Sequence, residues 1–327
     1  MIGFMPMTKK IVTIGGGSGH AQVLTGLKRI SGIQITGICP STDSGGSTGV
    51  LRREYQGGGY VGDLTKCMVA LCNDDVLAGA LSFRYREGSL SGHSVKNILF
   101  HALEEAHGLE AALREMGKIC GLGAHRILPV TDKKTELCAR LRIGNTISGE
   151  ATIDTIAKNP LWNPDVHAIT DIYLKPAVHA SRVVTRAIEK SDYVIICPGD
   201  LYSSIIPVLL PRGMRSAVQK SKARIILIIN IMTKRGETDN YTVRDFVEHI
   251  EKRLGRRADV VVCNSASIPD AVLLKYSLEG KAALRLPRRA DDPRVLTAPL
   301  AMVASDGQIY SNPKVIERVV RKIIGRT

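Results

Sequence analysis

A glycine-rich loop stands between a β-branched run and a helical pattern near the start of the chain. The β-branched run predicts a strand over residues 10–14, and a helix is predicted over residues 20–28. A strand, a glycine turn and a helix in this order bring free backbone N–H groups and the positive end of the helix to one place. We therefore expect an anion site, suited to the phosphates of a nucleotide, at this turn. Its residues are Gly15, Gly16, Gly17, Ser18 and Gly19.

This turn matches neither standard phosphate-binding fingerprint. A GxGxxG motif that starts at Gly15 would place glycine where His20 stands, and the chain contains no GxxxxGK motif. The mismatch disfavours a dinucleotide or a triphosphate as the ligand, and no hydride-transfer constellation accompanies the turn. A tight strand-to-helix turn that binds nothing stays open as the structural alternative.

The rest of the chain alternates β-branched runs with helical periodicity. This pattern favours an α/β fold whose mostly parallel sheet is covered by helices on both faces. Strands are predicted at residues 33–39, 168–174, 193–197, 224–231 and 259–263. Helices are predicted at residues 63–71, with Asp63 as N-cap, and at residues 94–106, 109–119, 180–190, 214–220, 243–254 and 313–324.

The middle of the chain breaks this rhythm. Residues 126–130, 137–142 and 146–150 have the pattern of short strands, and Gly144-Asn145 is a typical hairpin turn. We therefore expect a small antiparallel hairpin extension, after which residues 168–174 rejoin the parallel sheet. Since no repeat, linker or composition break divides the chain, we expect a flexible N-terminal tail over residues 1–8 and one α/β domain over residues 9–327.

Composition narrows the classes of function. Seven cysteines are spread over the chain without a CxxC pair, which disfavours a zinc site or disulfide framework and indicates small core residues in a reducing, cytoplasmic compartment. No apolar stretch reaches the ~18 residues that a membrane span needs. The formal net charge of +14 fits an anionic ligand, but the 4% aromatic content supplies few stacking platforms, so we expect no specific nucleic-acid target.

A polar loop over residues 41–49 follows the second predicted strand, at the same sheet edge as the glycine turn. Asp43 is its one carboxylate, which could take a ribose hydroxyl, hold Mg²⁺ through water or simply cap the loop. Gly45, Gly46 and Ser47 complete this candidate binding surface. An ordinary polar surface loop is the alternative.

Two later turns also leave predicted strands. Because ligands of open α/β sheets bind beyond the carboxyl ends of the strands, these turns could face the glycine turn across one crevice. The nearby carboxylates Glu237 and Asp239 could serve a metal or a ribose, or be simply solvated. The candidate contacts are Gly199, Ser203, Asn230 and Thr233.

Residues 92–97 open a predicted helix. His93 could act as a general acid or base near neutral pH, or serve only as a structural hydrogen-bonding group. Asn97 could bond to a phosphate or a base edge from the first turns of this helix.

Taken in order, these motifs resemble the CofD-like superfamily and, within it, the YvcK-like gluconeogenesis factor branch, over about residues 9–264. The stretch GGGYVGD at residues 57–63 is more similar to this branch than to the PDLDT-type element of CofD enzymes. The matching segments are residues 15–19 (GGGxG), 43–49 (D-[DN]-GGS-[ST]-G), 62–63 (GD-x-R-N), 92–97 (GHS-x-GN), 198–204 (PGSLYTS) and 230–242 (NIMT-x-GETD-x-YT).

The resemblance implies a Rossmann-like fold and a cytoplasmic, non-catalytic regulatory protein that binds UDP-sugars and is linked to cell shape and wall synthesis during gluconeogenic growth. Gly16, Gly17 and Ser18 would hold the diphosphate, and Asp43 would take a ribose hydroxyl or a hydrated metal. The pocket would be completed by Asn97, Asn230 and Thr233. The alternative is a CofD-type 2-phospho-L-lactate transferase, which acts with Mg²⁺ on a guanosine diphosphate carrier and a deazaflavin. A homodimer, and an acidic partner for the basic C-terminal region, stay open.

Four residues depart from the motifs of the resembled family. Ser44 stands where a second acidic residue is common, Lys66 ends a Thr-Lys pair where Arg-Asn is usual, and Lys96 replaces a glycine. Asp200 replaces a serine in a phosphate loop, where it would repel a phosphate unless a cation intervenes. The glycine turn is therefore expected to be the more complete phosphate site.

Overall fold

The computed structural model of the chain describes residues 8–55, 61–286 and 292–325. The predicted tail lies outside these ranges except for residue 8, as do residues 57–60 of the GGGYVGD stretch. The strands are β1 (Lys9–Ile14), β2 (Ile33–Cys39), β3 (Arg126–Pro129), β4 (Glu136–Leu141), β5 (Thr146–Ser148), β6 (Ile169–Lys175), β7 (Tyr193–Ile196), β8 (Arg224–Ile228), β9 (Val260–Asn264), β10 (Val295–Ala298), β11 (Ala301–Val303) and β12 (Ile309–Ser311).

Helices connect most of these strands. A 3-10 turn at Ile156–Lys158 and a π-helical turn at Leu201–Ile205 add to them. The helices are α1 (Gly17–Leu27), α2 (Gly46–Tyr55), α3 (Val61–Ala70), α4 (Asp75–Ser82), α5 (Val95–His107), α6 (Leu109–Ile119), α7 (Glu150–Asp154), α8 (Pro164–His167), α9 (Arg182–Glu189), α10 (Ile206–Leu209), α11 (Met214–Lys220), α12 (Val243–Leu254), α13 (Asp270–Leu278) and α14 (Pro313–Ile324).

A seven-stranded sheet in the order β10-β9-β8-β7-β1-β2-β3 forms the centre of the fold, and all of its pairings are parallel. Alternate residues of each strand enter opposite faces: Val194 and Ile196 of β7 belong to one buried cluster, and Ile195 to the other. Helices α9, α11 and α12 cover the first face, and α1, α3, α5, α6 and α14 cover the second. The predicted mostly parallel α/β sheet with helices on both faces is confirmed.

The antiparallel extension is also present, but its membership differs from the prediction. It is a three-stranded sheet in the order β5-β4-β6. Strand β3, which was expected in the extension, instead pairs in parallel with β2 at the edge of the main sheet. Strand β6, which was expected in the main sheet, pairs antiparallel with β4. Both expectations were wrong because the amphipathic pattern of a strand does not specify its partner.

The structure also tests two expectations from composition. All seven cysteines are buried and none forms a disulfide, which confirms their predicted role as small core residues. Among the described residues, no helix combines the length and the apolar character that crossing a membrane requires.

Candidate functional site

The candidate site lies where the order of strands reverses. From β1 the sheet continues through β2 and β3 on one side and through β7, β8, β9 and β10 on the other. The turns after β1 and β7 therefore leave adjacent strand ends, the usual ligand position in open α/β sheets. The two turns touch, because a Cβ atom on Gly19 would lie 2.8 Å from the carbonyl carbon of Pro198. The motifs predict that these two turns face each other across one crevice. In the structure their backbones are in direct contact.

The glycine turn leaves the N-terminus of α1 open. Gly17 has a φ of +65°, a conformation that residues with a side chain rarely adopt. No side chain caps the helix at Gly16, and its first turn holds no acidic residue. Within the described residues, the first-turn N–H groups of Ser18 and Gly19 are therefore available to an anion, at the positive end of the helix dipole.

One N–H group of this turn is already engaged. Gly17 donates to Oδ1 of Asp63 at 2.9 Å. Asp63 lies in the first turn of α3, which begins at Val61, so its predicted position as the N-cap of this helix was wrong. The carboxylate instead compensates the positive end of α1. A phosphate at this turn would consequently bind to the N–H groups of Ser18 and Gly19 rather than to that of Gly17.

His20 explains why the turn lacks the last glycine of the standard fingerprint. Its imidazole ring is buried, with one nitrogen 2.8 Å from the hydroxyl of Thr13 and the other 2.8 Å from the carbonyl oxygen of Gly15. The ring therefore ties the turn to β1 from beneath, a support that glycine could not supply.

The loop after β2 is shorter than predicted, because α2 begins at Gly46. Asp43 accepts hydrogen bonds from the N–H group of Gly45 at 3.1 Å and from the hydroxyl of Thr48 at 3.0 Å. These bonds hold the carboxyl of Asp43 against the start of α2. Asp43 thus caps its loop, and because it also lines the smaller cleft, the same geometry is compatible with ligand binding.

His93 and Asn97 join this loop to the helices behind it. Nδ1 of His93 lies 3.0 Å from the hydroxyl oxygen of Ser47, and Asn97 accepts a hydrogen bond from the hydroxyl of Thr65 at 2.8 Å. Both side chains therefore have structural partners. The catalytic role of His93 stays a prediction.

Three carboxyl groups converge beside the glycine turn. Burial, and then the charge of Asp63, raises the pKa of Asp43 to about 6. Burial, and then the charge of Asp43, raises the pKa of Glu150 to about 8. Glu150 was not identified from the sequence; it lies in the first turn of α7 and accepts the N–H group of Ser44 at 3.3 Å. Mutual repulsion in a buried place makes this group a favourable environment for a cation.

Magnesium is the cofactor that the sequence suggested for Asp43. Carboxylate oxygens are the donors that Mg²⁺ prefers, and the three carboxyls of Asp43, Asp63 and Glu150 line one cleft. The residues therefore fit the ion in the chemistry of their donors, although their oxygen atoms do not form one of the groups of the described residues that lie within 4.8 Å of one another. When bound, it would hold Asp43 and Glu150 in their ionised forms and offer positive charge to an anionic ligand.

The turn after β7 is held by two side chains, Asn230 and Glu237, from the segment that follows β8. The amide of Asn230 bonds to both backbone groups of Gly199, accepting its N–H at 3.1 Å and donating to its carbonyl at 2.7 Å. Glu237 accepts the N–H groups of Tyr202 at 2.7 Å and Ser203 at 3.2 Å, and the Ser203 hydroxyl at 2.7 Å. An internal carboxylate thus occupies the donors that a second phosphate would need.

A lysine supplies the cation that Asp200 was expected to require. Nζ of Lys234 lies 2.7 Å from Asp200 and 3.1 Å from Glu237, and it also pairs with Asp154. Burial alone would lower the pKa of Lys234, but these carboxylates raise it, so the ammonium stays charged. Glu237 is therefore an interior residue rather than a solvated one, and Asp239 accepts an N–H group within its own turn.

The turns enclose two clefts that share Ser18, Asp154 and Asp200. The larger has a volume of about 900 Å³ and the smaller about 360 Å³. The predicted residues Ser18, Gly19, Gly199, Asn230 and Thr233 line the larger cleft. Those lining the smaller cleft are Gly17, Ser18, Asp43, Gly45, Gly46, Ser47, Asn97 and Ser203. Gly15, Gly16 and His93 line neither of these two clefts, although His93 bonds to Ser47 of the smaller one.

Thr233 lines the larger cleft with a hydroxyl oxygen that already accepts one hydrogen bond. Its Oγ1 accepts the N–H group of Ala282 at 2.8 Å, and its own N–H donates to the Ala282 carbonyl at 2.8 Å. Thr233 therefore fixes the segment after α13 as one wall of the cleft.

The sequence matches the family described as 2-phospho-L-lactate transferase CofD over residues 11–301. It is 35% identical to a putative gluconeogenesis factor of Thermotoga maritima over 304 residues, which cover 91% of this chain and 93% of that protein. The chain belongs to the gluconeogenesis factor branch of the CofD-like superfamily. The gluconeogenesis factor of Bacillus subtilis is 32% identical, with 84% of each chain covered. A crystal structure of a UPF0052 family protein from Bacillus halodurans superposes with a TM-score of 0.86 at 29% identity, covering 95% of this chain and 99% of that one.

Two departures of this CofD-like chain from the expected motifs have a structural explanation. The hydroxyl of Ser44 accepts the N–H group of Ala151 at 3.1 Å, so it joins the Asp43 loop to α7. Asp200 is neutralised by Lys234. The other two departures, Lys66 and Lys96, both line the smaller cleft.

The raised pKa of Asp43 predicts an unusual pH dependence for this CofD-like protein without metal. Because the folded state releases the Asp43 proton near pH 6 and the unfolded state near the ordinary 3.8, the favourable contribution of this group is complete below about pH 3.8 and is lost as pH rises through about 6. Asp43→Asn should therefore be more stable than the wild type by about 1–3 kcal/mol at pH 8, with the gap closing towards pH 4. Denaturant unfolding in the presence of EDTA, at pH 4 and pH 8, measures the difference in the free energy of unfolding between the two proteins.

The matched control is Glu189→Gln, which removes an exposed carboxylate at the end of α9. Its stability profile should run parallel to that of the wild type. If the stability of Asp43→Asn also ran parallel to that of the wild type across this pH range, ionisation of Asp43 would not destabilise the folded state, and the prediction would be wrong.

Proposed function

We propose that this protein is a nucleotide-sugar-binding regulatory protein, with a UDP-sugar as its ligand. The carrying observation is the N-terminus of α1 at the reversal of strand order, where Asp63 holds the Gly17 N–H group and the next residue, Ser18, lies in the walls of both clefts. A nucleotide-sugar fits this position, because its diphosphate can bind at Ser18 while the nucleoside occupies one cleft and the sugar occupies the other. The family membership supports a ligand of this class.

The diphosphate would bind to the N–H groups of Ser18 and Gly19 and to the Ser18 hydroxyl. The larger cleft would take the base and ribose, because Tyr276 and Tyr310 supply aromatic surface there beside the hydrogen-bonding groups of Gln308 and Lys281. The sugar would then occupy the smaller cleft, where Asp43 meets it directly or through Mg²⁺.

We infer a regulatory role from family membership and from the fixed geometry of the second turn. Asn230 and Glu237 fix the backbone after β7. A hydroxyl beside an imidazole belongs to the smaller cleft, because Oγ of Ser47 lies 3.0 Å from Nδ1 of His93, and this pair favours the transferase alternative. We infer that binding serves regulation of cell shape and wall synthesis in gluconeogenic growth, in the cytoplasm. The alternative, a phospholactyl transferase using a guanosine diphosphate carrier, is favoured by the description of the matching family.

Titration calorimetry with UDP-N-acetylglucosamine, UDP-glucose and GDP, with and without Mg²⁺, tests the proposal. A saturable heat is expected with at least one UDP-sugar. Absence of heat with every compound would overturn it. Turnover of a phospholactyl-guanosine donor with a deazaflavin would instead establish the transferase, and a steep fall of affinity with salt for nucleic acid would indicate a polyanion-binding protein.

Ser18→Glu should separate binding from folding. A carboxylate at the second residue of α1 repels a phosphate, so we expect at least tenfold weaker UDP-sugar binding. Its helix-dipole stabilisation of ~0.3–1 kcal/mol is opposed by repulsion from Asp63, Asp154 and Asp200, so we expect little change in stability. Lys314→Glu is the matched control, since it places the same group at the second residue of α14, outside both clefts. Equal affinities for the two variants would place the diphosphate elsewhere.

A further inference from the structure

Three cationic side chains line one side of the smaller cleft. Lys66 comes from α3, Arg84 follows α4, and Lys96 comes from the first turn of α5. These elements are distant in sequence, so only the tertiary structure brings the charges together. Lys66 and Lys96 are also the two departures from the family motifs that the geometry of the turns leaves unexplained.

Lys96 is the most enclosed of the three. It is 8% exposed, and its ammonium group donates a long hydrogen bond of 3.4 Å to the hydroxyl oxygen of Ser94. The guanidinium of Arg84 bonds to the carbonyl oxygen of Gly92. Among the described residues, none of the three cations forms an ion pair with a carboxylate. Within the part of the chain that the structure describes, Lys96 and Arg84 therefore have no carboxylate partner, whereas Lys66 interacts electrostatically with Asp43.

The electrostatics of Lys96 reflect this shortage of negative charge. Burial, and then the charges of Arg84 and Lys66, lowers its pKa to about 8. A buried ammonium among like charges is costly, and an anion placed between them would relieve both the repulsion and the lost hydration.

Carboxyl groups line the same cleft. Asp43 and Asp63 interact with one another, and Asp63 also accepts a hydrogen bond from the Gly17 N–H group of the glycine turn. Glu150 accepts a hydrogen bond from the N–H group of Ser44. Asp154 and Asp200 are paired with Lys234. Four carboxyls thus have partners other than the three cations, and Asp43 interacts with Lys66. In the described part of the cleft, the positive charge without a carboxylate partner is that of Lys96 and Arg84.

We propose that the smaller cleft selects a nucleotide-sugar whose sugar end carries an anionic group, a carboxylate or a phosphate, bound by Lys96 with Lys66 and Arg84. This inference rests on the proposed function, because it assumes that the diphosphate binds at α1. It deepens that function by naming the charge at the far end of the ligand. A charge-assisted hydrogen bond to a buried ammonium gives such a group more affinity than a neutral hydroxyl can obtain.

A matched pair of ligands tests this directly. UDP-glucose and UDP-glucuronic acid differ only in whether carbon six of the sugar is an alcohol or a carboxylate. We expect calorimetry to give a Kd for UDP-glucuronic acid about tenfold lower or more. UDP-N-acetylglucosamine 6-phosphate is the arm that distinguishes a phosphate from a carboxylate as the preferred group.

Lys96→Met keeps the aliphatic stem and removes the charge. The ratio of the two Kd values should fall towards one in this variant. Lys222→Met, which removes one exposed lysine outside the clefts, should keep the wild-type ratio. A wild-type ratio near one, or a ratio that survives Lys96→Met, would overturn the inference while leaving UDP-sugar binding intact. An equal loss of affinity for both ligands would also overturn it, since Lys96 would then bind the diphosphate.

A measurement without nucleotide separates this inference from the proposed function. Limited acetylation with acetic anhydride, followed by peptide mass spectrometry, compares the reactivity of Lys96 with that of Lys222. Millimolar inorganic phosphate should slow acetylation of Lys96 at least threefold and leave Lys222 unchanged. If no UDP-sugar binds but phosphate protects Lys96, the anion subsite stands and the nucleotide-sugar function fails. If phosphate gives no protection, the subsite fails.

Discussion

Gly19→Ala is expected to abolish ligand binding and to destabilise the protein. The added Cβ would lie 2.8 Å from the carbonyl carbon of Pro198 and closer still to its oxygen. The neighbouring backbone cannot move aside freely, because Asn230 holds both polar groups of Gly199. Forcing extra volume into such packing costs typically ~1–3 kcal/mol, more than the ~0.5–1 kcal/mol that alanine normally gains over glycine in a helix. Chemical denaturation and UDP-sugar calorimetry measure the two effects.

Gly79→Ala supplies the matched control. Gly79 lies in the exposed part of α4, and its added Cβ would meet no atom within 4 Å. This variant should gain about 0.4–1 kcal/mol and keep full ligand affinity. If Gly19→Ala behaved in the same way, the close contact between the turns after β1 and β7 would have no energetic consequence.

Lys234→Met is expected to be the most destabilising substitution of a charged residue in the site. It leaves Asp154, Asp200 and Glu237 close together without their cation, and Glu237 is fully buried. Removing one partner of a buried ion pair costs about 3–5 kcal/mol. The loss should be larger at pH 7.5 than at pH 5, because burial raises the pKa of Glu237 and its protonation relieves the repulsion. Denaturant unfolding at the two pH values checks both statements.

Divalent cations provide a second readout for the same variant. Oxygen atoms of Asp154, Asp200 and Glu237 lie within 4.8 Å of one another, a spacing that a metal ion can bridge. Millimolar Mg²⁺ or Ca²⁺ should therefore restore part of the stability of Lys234→Met and leave the wild type little changed. Lys118→Met, which breaks an exposed ion pair on α6, is the control and should shift neither stability nor its metal dependence. A Lys234→Met protein as stable as this control would contradict the structural role of Lys234.

Much of the fold is readable from local patterns. Strands β1, β2, β7, β8 and β9 and the long helices follow the predicted periodicity, because each buries one stripe or face whose spacing is written in the sequence. The errors at β3 and β6 have a different origin, since both segments were recognised as strands but given the wrong partners. Pairing depends on contacts between distant parts of the chain, which no local pattern contains.

The candidate site divides in the same way. The sequence by itself determined the glycine turn, its neighbour around Asp43 and the positions of both at strand ends, because glycine geometry and strand direction are local properties. Only the tertiary structure showed that Asp63 occupies the Gly17 N–H group and that Lys234 supplies the cation for Asp200. It alone brought Lys66, Arg84 and Lys96 to one wall. Charge compensation acts between side chains that are neighbours in space and need not be neighbours in sequence, so it is decided when the chain folds.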